Sequence, residues 1–240
     1  MVDIINASFQ YQSSRLIFNG LSLSVEKGSS VAVIGNSGCG KSTLLNLVAG
    51  IIKPTEGYVI TKTSNIAYLT QDVTLLPYKT TLENVLLAYT LRNRHLDKNT
   101  IQNAIELLRL FQIDQDAFQK FPNELSGGMK QRIGLIQTLL TAPDLLLLDE
   151  PFNAIDVNTL DIIESYVWDF VYNGGRTMLF ITHNIEQALL LSSKIVIMRN
   201  NHTVQEVVPT AGYISRSPSQ RADTEEFKNL FFEIIERMKP

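Results

Sequence analysis

The chain has 240 residues, a formal net charge of -3 and a single cysteine, Cys39. Hydrophobic residues make up 45% of it and charged residues 19%, a composition typical of a folded domain and not of a disordered segment. The small negative charge gives no overall field that favours nucleic acid, and one cysteine excludes an intrachain disulfide framework or a multi-cysteine zinc site. Residues 1–6 lack the features of a signal peptide and no apolar run is long enough to cross a bilayer, so we expect a soluble chain.

Hydrophobic periodicity predicts the secondary structure in chain order. The predicted strands are Ile4–Tyr11, Leu21–Val25, Ser30–Ile34, Gly57–Ile60, Ile66–Leu69, Leu145–Leu148, Thr177–Thr182 and Ile195–Met198. The predicted helices are Lys41–Ala49, Leu82–Leu91, Ile101–Phe111, Met129–Leu140, Thr159–Val171 and Ile185–Leu191. A final amphipathic helix is expected beyond Pro218, with Asp223 and Glu226 as its capping box.

The type of predicted secondary structure changes at two points along the chain. Strands disappear after residue 71 and return, in alternation with helices, from residue 143. Such alternation predicts a mainly parallel sheet covered by helices. We therefore expect an α/β fold with N-terminal antiparallel strands and an inserted helical subdomain. Its parts, in a single domain of residues 1–240, are an α/β core of residues 1–71 and 143–208, the helical subdomain of residues 72–142 and a C-terminal extension of residues 209–240.

A glycine-rich segment, Gly35–Ser42, follows a hydrophobic strand and precedes a helix, which is the context that the P-loop pattern requires. Its glycines allow a tight turn, so that successive N–H groups converge on phosphate oxygens at the helix start. Lys41 would bridge the β- and γ-phosphates, and Ser42 would supply a hydroxyl to Mg²⁺. Cys39 is expected to be a small filler of the loop. The expected nucleotide-binding residues are Gly35, Asn36, Ser37, Gly38, Cys39, Gly40, Lys41, Ser42 and Thr43.

Two acids end a strand of four leucines. Asp149 and Glu150 follow residues 145–148, a pattern typical of a strand buried on both faces. Ligands of such sheets bind at the carboxyl ends of the strands, which predicts that both acids lie beside the P-loop. Asp149 would belong to the Mg²⁺ shell, and Glu150 would polarise the attacking water.

Three other residues lie at strand ends, where they could reach the same site. His183 follows an apolar strand and could contact the γ-phosphate, although alone it would be an ordinary loop histidine. Gln71 follows another strand, and its amide could reach the metal or the water. Tyr11 ends the first strand and could either pack in the core or stack on a base, a contact worth roughly 1–3 kcal/mol.

These motifs resemble those of the ATP-binding subunits of ABC transporters, and the resemblance covers nearly the whole chain. It is carried by Gly35–Ser42 as Walker A, Leu125–Arg132 as signature, Leu145–Glu150 as Walker B, Gln71 as Q-loop glutamine, Ala154–Asp156 as D-loop, His183 as switch histidine and Tyr11 as A-loop aromatic. The resemblance implies a head-to-tail homodimer in the ATP-bound state, in which Ser126, Gly127 and Gly128 contact the γ-phosphate held by the other subunit. A glycine-rich helix start can bind an anion, but whether this one acts in trans is left open by the residues alone.

A narrower resemblance, to importers of the nitrate, sulfonate and taurine group, is carried by Leu75–Tyr78, Thr81–Val85, Met129–Arg132 and Pro151–Asp156. Residues 133–137 depart from that group because they lack the Ala-Arg-Ala pattern usual after the signature. We expect this difference to alter packing or interface detail and not to abolish hydrolysis.

The resemblance thus predicts an ATPase, with ATP and Mg²⁺ as cofactors, that powers a membrane importer. The expected catalytic residues are Glu150, His183, Gln71 and Lys41, and the expected metal-binding residues are Ser42, Gln71 and Asp149. The alternatives are an ABC exporter or lipoprotein-extraction ATPase and, from another class, a soluble ABC ATPase acting on DNA or in translation.

Membrane partners are implied by the same resemblance. We expect contact with transmembrane permease subunits, indirect contact with a substrate-binding protein and none with nucleic acid, which would locate the chain at the cytoplasmic face of the cell membrane. The expected groove for a permease helix is Gln71–Ala88, with apolar contacts from Leu75, Leu76, Pro77 and Tyr78.

Overall fold

The fold is taken from a computed structural model that describes residues 1–11, 16–92, 96–199, 204–207, 209 and 211–239. Within these ranges no helix combines the length and the apolar character that a membrane span needs. The strands are β1 (Val2–Gln10), β2 (Leu16–Val25), β3 (Ser30–Gly35), β4 (Glu56–Thr61), β5 (Ile66–Leu69), β6 (Leu145–Asp149), β7 (Thr177–Ile181), β8 (Lys194–Met198) and β9 (Val204–Val207). The helices are α1 (Lys41–Val48), α2 (Thr81–Leu91), α3 (Lys98–Leu110), α4 (Gly127–Leu140), α5 (Val157–Tyr172), α6 (Ile185–Leu191), α7 (Ala211–Ile214), α8 (Pro218–Ala222) and α9 (Glu225–Met238).

The strands form two sheets. The smaller one has the order β2-β1-β4 and is antiparallel. The larger one has the order β5-β6-β7-β3-β8-β9 and is parallel except for the pairing of β8 with β9. Helices α2, α3 and α4 all lie between β5 and β6 in the chain. The predicted α/β fold with N-terminal antiparallel strands, a mainly parallel sheet and an inserted helical segment is confirmed.

The larger sheet separates two hydrophobic cores, because successive side chains of a strand point to opposite faces. In β6, Leu145 and Leu147 pack with α1 and the antiparallel sheet. Leu146 and Leu148 pack on the other face with residues of α3, α4, α5, α6 and α9. The four consecutive leucines therefore contribute to both cores. Asp149 is the last residue of the strand, and Glu150 follows it.

The predicted elements differ from the structure mainly near the C-terminus. Strand β9 and the short helices α7 and α8 were not expected from the sequence. The predicted capping box of the last helix, Asp223 with Glu226, is wrong: Thr224 is the N-cap, and its Oγ1 accepts a hydrogen bond from the N–H of Phe227, the third helical residue, at 3.1 Å. Asp223 instead ends α8, with φ -91° and ψ 7°.

A buried arginine fastens the C-terminal extension to α6. Arg221 is 1% exposed, and its guanidinium donates to the carbonyl oxygens of Leu189, Leu190 and Ser192 at 3.2, 2.9 and 2.9 Å. These carbonyls lie at the C-terminal end of α6, where the helix dipole favours a cation. The arginine therefore satisfies carbonyl groups that the helix leaves without intrahelical partners.

The other end of α6 is held by a buried carboxyl. Glu164 of α5 is 4% exposed and hydrogen-bonds Gln187 of α6, while its Oε1 has no partner among the described residues. Gln187 in turn accepts a hydrogen bond from Thr182 Oγ1 at 2.8 Å. Burial raises the pKa of Glu164 from 4.5 to about 7, and the charges of Asp161 and Glu186 act in the same direction. This carboxyl therefore changes its charge near neutral pH.

We expect the Glu164→Gln variant to be more stable than the wild type above neutral pH. The raised pKa means that the folded state holds a proton that the unfolded state releases above its ordinary value of 4.5, so the free energy of unfolding falls as the pH rises from there to about 7. Removing the charge should raise the free energy of unfolding at about pH 8 by on the order of 1–3 kcal/mol and leave it little changed at about pH 5.

Urea unfolding at the two pH values measures this difference. Glu26→Gln, which removes an exposed glutamate, serves as the control and should retain the pH dependence of the wild type. An unchanged pH dependence in Glu164→Gln would contradict the assignment.

Candidate functional site

The glycine-rich segment forms a turn whose last glycine, Gly40, could not be replaced by a larger residue without a clash. Gly40 is the N-cap of α1 with φ 99°, and a Cβ added there would lie 2.5 Å from the Ile17 Cγ2 and 3.1 Å from the Phe18 ring. Within the described part of the chain, no side chain caps α1. The first N–H groups of a helix have no intrahelical acceptor, so this helix start is open to an anion.

The Lys41 amine is hydrogen-bonded to the backbone of the same turn. Its Nζ donates to the carbonyl oxygens of Gly35 and Asn36 at 2.8 and 3.0 Å. Its positive charge is thus held at the mouth of the loop by two neutral acceptors. A phosphate, which forms stronger charge-assisted hydrogen bonds, could displace them.

A polar cleft of about 260 Å³ joins the P-loop to the two acids. At roughly 30 Å³ per water molecule, it has room for several groups of that size. It is lined by Ile17, Ser37, Gly38, Gly40, Lys41, Ser42, Thr43, Gln71, Asp149, Glu150 and Ile181. Residues from separate parts of the sequence therefore meet here.

Asp149 and Ser42 form a hydrogen-bonded pair in this cleft. Burial raises the pKa of the Asp149 carboxyl, and the charge of Glu150 acts in the same direction, whereas the Ser42 hydrogen bond and the charge of Lys41 lower it. A carboxylate, a hydroxyl and the amide of Gln71 along one cleft are oxygen donors of the kind that Mg²⁺ prefers. The residues present fit this ion.

Glu150 lies at a sharp bend where the chain leaves β6. Its φ is 50°, a conformation that L-residues rarely adopt, and its N–H donates to the Ile181 carbonyl at 3.0 Å. On the carboxylate, Oε2 is 2.7 Å from His183 Nδ1 and also accepts a hydrogen bond from Asn153 Nδ2. Glu150 and His183, which are far apart in the sequence, are therefore in direct contact.

The remaining members of the predicted nucleotide site lie at the edge of the cleft or within its wall. Tyr11 is exposed, its hydroxyl is 3.4 Å from the Thr43 Oγ1, and its ring packs edge-on against Phe9 with centroids 4.9 Å apart. Cys39 is buried, and burial raises the pKa of its thiol. A protonated buried thiol fits the expected role of filler.

The signature residues are not brought to this cleft within one chain. Ser126 caps α4, its Oγ accepting the Met129 N–H at 3.2 Å, and the space beside Gly127 is open. None of Ser126, Gly127 and Gly128 is among the described residues that line the cleft. They form a second glycine-containing helix start, capped by Ser126, outside this cleft.

Two further residues contact Glu150 that were not among the predicted site residues. Asn153 bonds the carboxylate, and Gln131 of α4 donates from Nε2 to the carbonyl oxygens of Glu150 and Pro151. Gln131 lies in the signature segment Leu125–Arg132 and Asn153 in the segment Pro151–Asp156, but neither was given a role at the site. No sequence signal predicts their contacts with Glu150, because these contacts depend on the bend at that residue.

Comparison with known proteins identifies the family. A family model described as "ABC transporter" matches residues 18–153, which is more than half of the chain. The nitrate transport protein NasD of Klebsiella oxytoca is 36% identical over 92% of this chain and 88% of its own length. The aliphatic sulfonates import ATP-binding protein SsuB of Bacillus cereus is 35% identical over 82% and 80%. The carnitine transport ATP-binding protein OpuCA of Listeria monocytogenes is 33% identical over 87% of this chain, which spans only about half (55%) of that relative.

Solved structures agree with this result. A dimeric bacterial ABC transporter cassette, MJ0796, superposes with a TM-score of 0.80 at 26% identity, over 87% of this chain and 98% of the other. A post-hydrolysis dimer of the same cassette, bound to ADP and Pi, superposes with a TM-score of 0.79. The family that the motifs predicted is thereby confirmed: the chain belongs to the ABC transporter family.

Proposed function

We propose that this chain is the ATP-binding and hydrolysing subunit of a membrane importer for a small anion or organic solute such as nitrate, a sulfonate or taurine. The observation that carries the proposal is the single cleft in which Lys41, Ser42 and Asp149 lie beside Glu150, itself bonded to His183. Relatives named for import of nitrate and aliphatic sulfonates support import over export and over a soluble role.

The P-loop would hold the phosphates of ATP. The start of α1 would supply backbone N–H groups, and Lys41 would turn from its two carbonyls to the β- and γ-phosphates. Ser42, Asp149 and Gln71 would hold Mg²⁺, which when bound would neutralise part of the phosphate charge. Tyr11 would stack on the base.

Glu150 would act as the general base for the attacking water. Both of its side-chain contacts, from His183 and Asn153, use Oε2. The proton of the water would therefore pass to Oε1, while His183 would keep the carboxylate in place and contact the γ-phosphate. Gln71, which also lines the cleft, would help to orient the water.

Hydrolysis would require two copies of the chain. Because Ser126, Gly127 and Gly128 lie outside the chain's own cleft, a second copy would have to bring them to the γ-phosphate. The dimeric form of the MJ0796 cassette supports a homodimer. ATP would hold the dimer closed, and phosphate loss would remove the contacts that both chains share.

The loop after Gln71 is the proposed docking element for the permease. Buried Asn84 accepts a hydrogen bond from the Leu76 N–H at 2.8 Å and donates to the carbonyls of Leu76 and Lys79, which fixes the loop. Tyr78, at the loop's tip, is 71% exposed. A fixed loop with an exposed aromatic residue loses little entropy on binding.

One expected docking residue has to be corrected. Leu75 is buried in the hydrophobic core on the helical face of the larger sheet, so its side chain is unavailable to a partner. The proposed contacts are therefore Pro77 and Tyr78, with Leu76 partly exposed beside them. Through permease subunits the chain would sit at the cytoplasmic face of the cell membrane, and a substrate-binding protein would deliver the solute from the other side.

Replacing Glu150 by Gln should separate binding from hydrolysis. The amide can still hydrogen-bond His183 but cannot take a proton, so ATP affinity should persist while kcat falls by about 100-fold or more. Phosphate release, ATP titration and size-exclusion chromatography with ATP check this, and the variant should accumulate as a dimer. Glu56→Gln, at an exposed position of β4, is the control. Wild-type phosphate release in Glu150→Gln would rule out its role as base.

Replacing Lys41 by Ala should weaken nucleotide binding. The variant loses the cation expected on the β- and γ-phosphates, and we expect the Kd for ATP to rise at least about tenfold, a loss of about 1.4 kcal/mol. Titration with a fluorescent ATP analogue measures the Kd. Lys27→Ala, at an exposed turn position, should bind as the wild type does. An unchanged titration in Lys41→Ala would argue against the cradle.

A matched pair of tyrosines tests the docking loop. Tyr78 and Tyr58 are both 71% exposed, but Tyr58 lies on the antiparallel sheet. In cells that also express the cognate permease, Tyr78→Glu should greatly reduce the permease recovered with the chain from detergent, because a charge is placed in an apolar contact. Tyr58→Glu should recover as much permease as the wild type, and neither variant should change the ATPase rate of the isolated chain. Equal recovery with both variants would refute this docking site.

A further inference from the structure

We propose that Gln131 is a positioning residue that connects the signature turn of α4 to Glu150 of the same chain, and so makes hydrolysis at one ATP site depend on nucleotide at the other. The inference rests on the proposed function, since it needs ATP sites shared between two chains. It deepens that proposal by naming the residue through which the two sites communicate.

The contact of Gln131 with the bend after β6 uses its whole donor capacity. The side chain is only 7% exposed, and its Nε2 donates to the carbonyl oxygens of Glu150 at 3.2 Å and Pro151 at 3.3 Å. An amide nitrogen carries two N–H groups, so both are engaged by two consecutive carbonyls. Few other side chains could make this pair of bonds from the same position.

The backbone that Gln131 holds is in a conformation that needs support. Glu150 has φ 50° and Ala154 has φ 61°, and such conformations cost about 1 kcal/mol or more for residues other than glycine. They persist only where surrounding contacts enforce them. The direction of the Glu150 carboxylate depends on this backbone, so the bonds from Gln131 bear directly on where the base points.

The first turn of α4 touches the far end of the same segment. A Cβ added to Gly128 would lie 2.4 Å from the Ala154 carbonyl oxygen, so the helix start and the loop after Glu150 are in close backbone contact. Helix α4 therefore meets the segment 150–154 at both ends, through Gly128 and through Gln131. A shift of the helix start must move the loop, because a packed helix turn transmits displacement and does not absorb it.

The two ends of this connection belong to different ATP sites in the proposed dimer. The signature turn would contact nucleotide bound to the partner's P-loop, whereas Glu150 acts on nucleotide in the chain's own cleft. Nucleotide at the first site would therefore set the position of α4, and Gln131 would pass that position to the base of the second. The expected consequence is positive cooperativity of hydrolysis in ATP concentration.

The decisive variant is Gln131→Leu, which keeps a similar volume but has no donor. We expect nearly unchanged ATP affinity in the Lys41 site, a kcat lowered by about tenfold, which corresponds to about 1.4 kcal/mol, and a Hill coefficient for ATP hydrolysis that falls from about 2 toward 1. Gln137→Leu is the matched control, because Gln137 lies on the same helix and is partly exposed. It should leave kcat and the Hill coefficient unchanged.

A second variant keeps the test valid if Gln131→Leu fails to fold. In Gln131→Glu the ionised carboxylate would face two carbonyl oxygens, whereas its protonated form can again donate one hydrogen bond. The activity of this variant relative to the wild type should therefore rise as the pH is lowered. A role in folding alone would change the unfolding temperature without changing this ratio or the Hill coefficient.

The outcomes separate this inference from the proposed function. If the wild type hydrolyses ATP cooperatively and the folded Gln131 variants keep both kcat and the Hill coefficient, the connection through Gln131 is refuted and the proposed function stands. A lowered kcat with an unchanged Hill coefficient, or a wild-type Hill coefficient of 1, also refutes the connection. If the wild type does not hydrolyse ATP at all, the proposed function itself fails.

Discussion

The register of three parallel strands is the constraint on which the rest of the structure depends. Val33 of β3 pairs with Ile181 of β7, and Ile181 pairs on its other side with Asp149 of β6. The strands therefore end at one edge, where the P-loop, the two acids and His183 meet. A slip of one residue in β6 would turn Asp149 to the other face of the sheet, away from the P-loop. Burial of the four leucines holds β6 inside the sheet on both faces, and its hydrogen-bonded register with β7 holds the acids in place.

At that edge, the charges of Lys41 and Asp149 are held by neutral hydrogen-bond partners and not by each other. Lys41 is near Asp149 without pairing with it, since its amine is bound to backbone carbonyls and the carboxylate is bound to Ser42. Both charged groups are therefore held by neutral partners that a more highly charged ligand can replace. A triphosphate would bring negative oxygens to the amine, and a divalent cation would bring positive charge to the carboxylate. Each group would exchange hydrogen bonds to neutral partners for contacts with a group of opposite charge, which are stronger.

The sequence predicted the fold and most of the candidate site because those features are local or depend on strand order. The P-loop glycines, the acids after four leucines and the histidine after an apolar strand each form short patterns, and the parallel sheet brings them together. The contacts of Gln131 and Asn153 could not be predicted, because they depend on the positive φ of Glu150. A glutamate in the sequence gives no indication of a positive φ. Thr224 displaced Asp223 as a cap because the preceding helix α8, invisible in the pattern, uses Asp223 to end. Tertiary context decided both.

Helix α6, which follows His183, is held at both of its ends. Arg221 fixes its C-terminal end, and Asn184 caps its start, accepting the N–H groups of Glu186 and Gln187 at 2.8 and 3.3 Å. Because this short helix is held at both ends, it has little freedom to move, and His183 keeps its place beside Glu150. Helix α4 meets the same glutamate through the two bonds of Gln131 to the carbonyl oxygens of Glu150 and Pro151. A displacement of α4 would therefore act on the Glu150 backbone, while the histidine that holds the carboxylate stays where it is.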